Sequence, residues 1–192
     1  NLGNFDDVRA KSMMISAKCA KEKGIPFILD LVGVACSTLR LNYAKELVSV
    51  ACPTVIKGNI SECKAFYGMT SHAHGVDADI QDEEDIYESC KWLKEMALNL
   101  GCVVVSSGKI DVITDGKEVN LISNGCDMLS RITGTGCMLN VAIATFLASY
   151  SPLSACVKAT CYYEVAAEKT KCEGPGTFHM HFMDEIYKLT SF

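Results

Sequence analysis

Apolar residues at Val8, Ala10, Met13, Met14, Ala17 and Ala20 recur close to every 3.6 positions, which predicts a helix over 6–23. Gly24 ends it and Ile25-Pro26 turns the chain. The run IPFILD is apolar up to its closing acid, the pattern of a strand covered on both faces in a parallel sheet. After a loop over LVGVACS, helical spacing returns over 38–50. CPTVIKGN predicts a second buried strand, with a short helix over 61–67 behind it. Positions 68–82 are polar and irregular and predict a surface loop, while 83–99 predict an amphipathic helix. GCVVVSSG predicts a third buried strand. KIDVITDGKEVNLIS alternates about Asp115-Gly116, which predicts a hairpin. Positions 124–131 read as a loop. Thr135 to Tyr150 is apolar nearly all round and predicts a buried helix. Pro152 opens another, to about Lys171. CEGPGTF breaks the chain, and a last helix, with His179 and His181 at its start, runs to about Leu189.

Strands alternating with helices define an α/β protein with a mostly parallel central sheet, right-handed crossovers and an added β-hairpin. No linker, compositional break or internal repeat divides it, so 1–192 reads as a single domain. The chain does not open on Met, and NLGNFDD reads as the end of a strand–loop passage. The expectation is that an N-terminal piece is absent from the sequence.

Charge and composition narrow the partners. Net charge is -5 over 192 residues, which argues against a phosphate-neutralising nucleic-acid binder. No apolar stretch reaches the roughly 18–20 residues that span a bilayer, and no leader pattern opens the chain. A cytoplasmic protein with neither nucleic-acid nor membrane partner is expected. Eleven cysteines, an odd number without a CxxC pair, support neither a zinc site nor a disulfide framework. Cys19, Cys52, Cys102, Cys156 and Cys161 lie in apolar runs and read as small buried hydrophobes in a reducing compartment. His72/His74 and His179/His181 form two HxH pairs, neither with a third ligand at metal-site spacing.

Ligands of open α/β sheets sit beyond the carboxyl ends of the strands. Asp30 and Gly33 follow the first strand; Lys57, Gly58, Asn59 and Glu62 the second; Ser106, Ser107 and Gly108 the third; and Thr133-Gly134-Thr135-Gly136-Cys137 follows the hairpin. A helix starting at the last of these segments would direct N–H groups and its positive dipole end outward, an anion site. It is neither a Walker loop nor a Rossmann fingerprint, and a simple tight turn fits the same glycines. Cys137, in the first helical turn, reads either as base or nucleophile or as the first core residue. Asp30 and Glu62 suit Mg²⁺ held through water, or helix capping. Asn59 and Glu62, three apart, would share a helix face and a Mg²⁺–water–phosphate shell. Lys57 reads either as a phosphate contact or as a solvated lysine. Gly174-Pro175-Gly176 either lines a nucleotide pocket or makes a turn.

The segments ILDLVGVACS, VIKGNISE, VVVSSGKIDVITDG, RITGTGCMLN and GPGTF, in this order, resemble hydroxyethylthiazole kinases, thiamin-salvage enzymes of the ribokinase-like fold. The resemblance covers essentially the whole chain. Its most specific element is TGTGC, where other ribokinase-like enzymes usually carry aspartate in place of Cys137. It implies ATP-dependent phosphorylation of the hydroxyl of 4-methyl-5-(2-hydroxyethyl)thiazole, with ATP and Mg²⁺ as cofactors and a homotrimer as the assembly. By motif, Cys137 matches the catalytic residue, and the N–H groups from Gly134 through Thr135 and Gly136 to Cys137 match the anion hole. Gly134 also matches a thiazole contact. Lys57 and Ser107 match ATP contacts, Asp30 and Glu62 the acids near the phosphates and Mg²⁺, and Asn59 and Thr133 complete the nucleotide set. This chain departs from the family's D-P-V-G-x-G at Leu31 and Ala35, carries Lys57 where arginine is common, and has Ser107-Gly108 for Thr-Gly. The alternatives are another ribokinase-like kinase of a small alcohol such as a hydroxymethylpyrimidine, a non-catalytic nucleotide-binding fragment and, from the cysteine count alone, a thiol redox or metal protein.

Overall fold

A computed structural model describes residues 1–71 and 85–189. They fall into two compact units, 1–121 and 122–192.

The first unit is helices packed on a five-stranded sheet. Its elements are α1 (Asp7–Lys23), β1 (Ile28–Asp30), α2 (Thr38–Ala51), β2 (Val55–Asn59), α3 (Ile60–Tyr67), α4 (Ile86–Leu100), β3 (Val103–Ser107), β4 (Asp111–Thr114) and β5 (Val119–Ile122). Local chemistry sets the helix ends. The Asp6 carboxylate caps α1 by accepting from Arg9 N–H, and Gly24 closes it in the left-handed region at φ 64°. Ser37 caps α2 in the same way, accepting from Arg40 N–H.

The strands run in the order β1-β2-β3-β4-β5. β1, β2 and β3 are parallel, with Asp30 beside Lys57 and Asn59 beside Ser107, and β4 turns back antiparallel on β3. The sheet is therefore mixed, with its parallel part first. β5 follows β4 after four residues, too short for a parallel crossover, so the hairpin read from Asp115-Gly116 is present with a longer loop. Asp115 shapes that loop by accepting from the N–H groups of Lys117 and Glu118. The core takes Leu29, Ile56 and Val104 from the strands, Leu31 from just past β1, and Leu47, Leu93 and Met96 from the helices.

The second unit is helical. A 3-10 helix (Asp127–Arg131) leads into α5 (Thr135–Leu147), α6 (Pro152–Lys169) and α7 (Pro175–Leu189). Ala155, Cys156, Ala159, Ala166 and Ala167 are buried along α6, and small side chains at these positions let helices approach closely. Tyr163, Phe178 and Phe182 are buried beside them, with Phe182 meeting Tyr163 edge-on at 4.9 Å.

Several expectations are corrected. Positions 124–131 are not all loop, because the 3-10 helix occupies their second half. α5 is not buried all round: Thr135, Leu139, Ile143 and Leu147 form one buried stripe, and Val141 on another face is 68% exposed. The last helix starts at Pro175, inside the expected break, where Thr177 Oγ1 accepts from the N–H groups of Glu173 and Gly174. Of the cysteines read as buried, Cys102 and Cys156 are, Cys19 and Cys161 are half-buried, and Cys52 is exposed. Cys52 is the C-cap of α2, at φ 52°, a position that turns away from the helix face. His72, His74 and most of the 68–82 loop lie outside the described residues, as do the first residues of the helix expected from 83.

Candidate active site

In the first unit, the carboxyl ends of β1, β2 and β3 gather Asp30, Lys57, Asn59, Glu62 and Ser107. Glu62 organises them. Its Oε2 accepts from Asn59 N–H at 2.8 Å and its Oε1 from Gly33 N–H at 2.8 Å, while Asn59 Oδ1 accepts from Glu62 N–H at 2.9 Å. Asn59 and Glu62 thus form a capping box at the start of α3. The three-residue spacing does not place them on one helix face: Asn59 is the N-cap, and Glu62 reaches back to it. The same carboxylate ties down the β1–α2 loop through Gly33.

Glu62 and Asp30 are each 3% exposed and Lys57 is 4% exposed, so Lys57 is no solvated surface lysine. Burial raises the Glu62 pKa above the usual carboxylate range. The N–H groups of Asn59 and Gly33 and the charge of Lys57 pull it back down, while Asp30 pushes it up. Asp30 accepts from Asn1 Nδ2 at 2.6 Å and from Val32 N–H at 3.1 Å. Ser107 Oγ donates to Gly58 O at 3.4 Å, and Asp111 Oδ1 holds the following turn by accepting from Gly108 N–H at 2.9 Å.

Two buried carboxylates make a sparse metal site. No group of three metal-binding side chains occurs among the described residues. Mg²⁺ keeps several waters and commonly takes one or two carboxylates plus substrate phosphates. A carboxylate offers about four lone-pair positions, and the bonds above occupy one per oxygen at Glu62. The donor set fits Mg²⁺ bound chiefly through water and phosphate.

In the second unit, Thr133, Gly134, Thr135, Gly136 and Cys137 form the turn into α5. Gly134 is the N-cap at φ 102°, a conformation L-residues rarely adopt, and no side chain caps this helix. A methyl group at Gly134 would have nothing within 4 Å. The glycine is therefore set by backbone geometry, and the space beside it is open. The helical ladder begins with Met138 N–H on Gly134 O, at 2.9 Å. The N–H groups of Thr135, Gly136 and Cys137 precede it and point out of the helix end, where the dipole favours an anion. Thr133 is exposed and Cys137 half-buried in the third position of the helix.

The turn is anchored from below. Thr135 Oγ1 reaches Leu129 O at 2.8 Å and Ile132 O at 3.1 Å, and Tyr163 Oη donates to Thr135 O at 2.8 Å. Asn140 Nδ2 donates to Gly136 O at 3.2 Å. Burial pushes the Tyr163 phenol well above its usual range, and the charges of Cys137 and Glu164 add to the shift. Sequence reasoning missed Tyr163, Asn140 and Asp111. Asp111 stood in the quoted hairpin segment and Asn140 in the quoted turn, while nothing near Tyr163 marks it.

An α/β sheet with polar side chains at its strand ends, followed in sequence by a glycine-started helix, gives the chain a ribokinase-like fold. A Bacillus subtilis pyridoxal kinase solved as an ADP complex shares the fold, with a TM-score of 0.60 and 21% identity over 91% of this chain and 65% of that one. The model of the hydroxyethylthiazole kinase family matches residues 1–191. A relative named hydroxyethylthiazole kinase 2 from Clostridium botulinum is 43% identical over 99% of this chain and 73% of its own length. The solved hydroxyethylthiazole kinase of Pyrococcus horikoshii OT3 superposes with a TM-score of 0.87 at 29% identity, covering 100% of this chain and 73% of that one. The chain belongs to the hydroxyethylthiazole kinase family. No helix among the described residues is long and apolar enough to cross a membrane.

Proposed function

We propose that this chain transfers the γ-phosphoryl group of ATP to the hydroxyl of 4-methyl-5-(2-hydroxyethyl)thiazole, the salvage step toward thiamin. The observation that carries this reading is the start of α5, an uncapped helix end at Gly134 with Cys137 in its first turn. In the reaction the alcohol oxygen bonds to the γ-phosphorus, the bridging oxygen–phosphorus bond breaks, and ADP leaves. Negative charge collects on the equatorial oxygens, which the outward N–H groups from Gly134 to Cys137 stabilise. Cys137, as the thiolate that the start of α5 favours, takes the hydroxyl proton and becomes the neutral thiol as the alcohol attacks. Gly134 leaves room for the thiazole, and Thr133 borders the turn.

Lys57, Asn59 and Ser107 take the nucleotide side. Lys57 supplies charge without the bidentate fork of arginine. Bound Mg²⁺ would neutralise phosphate charge, with Asp30 and Glu62 holding its water shell. Eleven free thiols suit a reducing cytoplasm. The family resemblance supports a homotrimer, and 1–192 working as one catalytic domain.

The test is ADP release from Mg-ATP with and without the thiazole alcohol. Thiazole-dependent ADP is expected. Transfer to hydroxymethylpyrimidine but not to the thiazole would replace the substrate, and ATP binding without turnover of any alcohol would replace the enzyme by a nucleotide-binding module.

A further inference from the structure

We infer that Tyr163 is a positioning residue for phosphoryl transfer, holding the peptide between Thr135 and Gly136 in the orientation that aims its N–H at the transferred group. This rests on the kinase reading above. Tyr163 lies on α6 and is 3% exposed. Its hydroxyl donates to Thr135 O at 2.8 Å, and the bond is buried. A trans peptide is planar, with its C=O and N–H pointing in opposite directions. Fixing Thr135 C=O toward α6 therefore fixes Gly136 N–H away from it, out of the helix end.

Two further features make this a clamp rather than a chance contact. The Thr135 side chain is held separately, by Leu129 O and Ile132 O, so this residue is tied down through both its carbonyl and its hydroxyl. The Tyr163 ring is set independently of the turn: Phe182 meets it edge-on at 4.9 Å, and Phe178 stacks on Phe182 at 5.3 Å. The position of the hydroxyl is thus dictated by the α6–α7 core and transmitted to α5. Preorganised donors stabilise developing charge because they need no reorientation at the moment of reaction. A turn without this clamp would bind ATP as before but would have to reorient in the transition state.

The experiment compares Tyr163→Phe, which keeps the ring and removes the hydroxyl, with Ile143→Val, which trims the buried stripe of α5 without touching Thr135. Both are assayed for kcat and for the KM of ATP and of the thiazole alcohol. Calorimetric titration with ATP counts the competent sites, so that a misfolded fraction is not mistaken for slow chemistry. Tyr163→Phe should lower kcat by about tenfold, with both KM values within about twofold and one ATP bound per chain, while Ile143→Val keeps kcat within about twofold. Unchanged kcat in Tyr163→Phe, or equal losses in the two variants, overturns the inference. If the unmutated chain turns over no thiazole, the kinase reading fails by itself, and amide exchange over 134–137 decides the clamp. Faster exchange in Tyr163→Phe than in Ile143→Val supports it, and equal exchange overturns it.

Discussion

Gly58→Ala tests whether the first unit is built around the Glu62 carboxylate. A methyl group at Gly58 would lie 3.1 Å from Glu62 Cβ, 3.2 Å from Leu31 Cβ and 3.3 Å from Glu62 Oε2. All three contacts are tighter than ordinary van der Waals packing. Leu31 is fully buried and Glu62 is held at both oxygens, so neither moves without disturbing something else. Overpacking of this kind costs about 1–3 kcal/mol. Against it, replacing glycine in a strand stabilises by about 0.4–1 kcal/mol, because the unfolded chain loses freedom. The net is a destabilisation of about 1–2 kcal/mol. For a chain of this size that lowers Tm by roughly 2–8 °C. The loop held through Gly33 should loosen with it, so the KM for ATP should rise. Differential scanning calorimetry and ATP-dependent kinetics read the two effects. A higher Tm for Gly58→Ala, as chain entropy alone would give, refutes the idea that the close approach to Glu62 requires glycine here.

Gly134→Ala meets no neighbour, so its cost is backbone strain alone, about 1–2 kcal/mol; kcat should fall more than Tm, and a variant with unchanged kcat would detach the turn from catalysis. Cys137→Ala should leave Tm within a few degrees and lower kcat at least a hundredfold, the range of a lost general base; an unchanged rate in steady-state assays would leave the anion hole as the catalyst. Lys57→Met removes a charge that lowers the Glu62 pKa, so carboxyl NMR should show Glu62 titrating still higher. A carboxylate raised in the folded state stabilises fully below its unfolded pKa and loses that contribution as pH rises through the folded value. Urea melts should therefore show Lys57→Met losing more stability at pH 7 than at pH 4, and equal losses would contradict the coupling.

The three parallel strands were legible because a strand covered on both faces is written as an unbroken apolar run, and Val55–Ile56 and Val103–Val105 are buried as such runs require. The hairpin was legible because Asp115-Gly116 acts within its own turn. Burial around α5 was not. Apolarity all round says that a helix tolerates burial, and only tertiary packing selects the stripe through Leu139, Ile143 and Leu147. Asn59 and Glu62 show a different limit. A spacing of three serves a shared helix face and a capping box equally, and the choice depends on whether Asn59 is helical or extended; its φ of -79° and ψ of 175° make it extended. Tyr163 was invisible because its partner is a main-chain carbonyl 28 residues away, which carries no side-chain trace.

The same distinction bears on how the acids act. A carboxylate used directly as a metal ligand needs an oxygen turned toward the ion. A carboxylate used as a clamp needs both oxygens turned toward the chain. Glu62 is committed to the second use, with one N–H from the α3 cap and one from the β1–α2 loop. Its bonds hold at one point the two loops that leave β1 and β2 at their carboxyl ends. Burial keeps solvent away from this carboxylate, and the charge of Lys57 offsets part of the burial penalty. In the proposed kinase reaction its influence on a phosphate-bound cation would come through intervening water and through the loop geometry it fixes. On this reasoning Glu62→Gln harms the site even though it keeps the side-chain shape, because an amide presents one acceptor oxygen and leaves an NH₂ facing one of the two N–H donors.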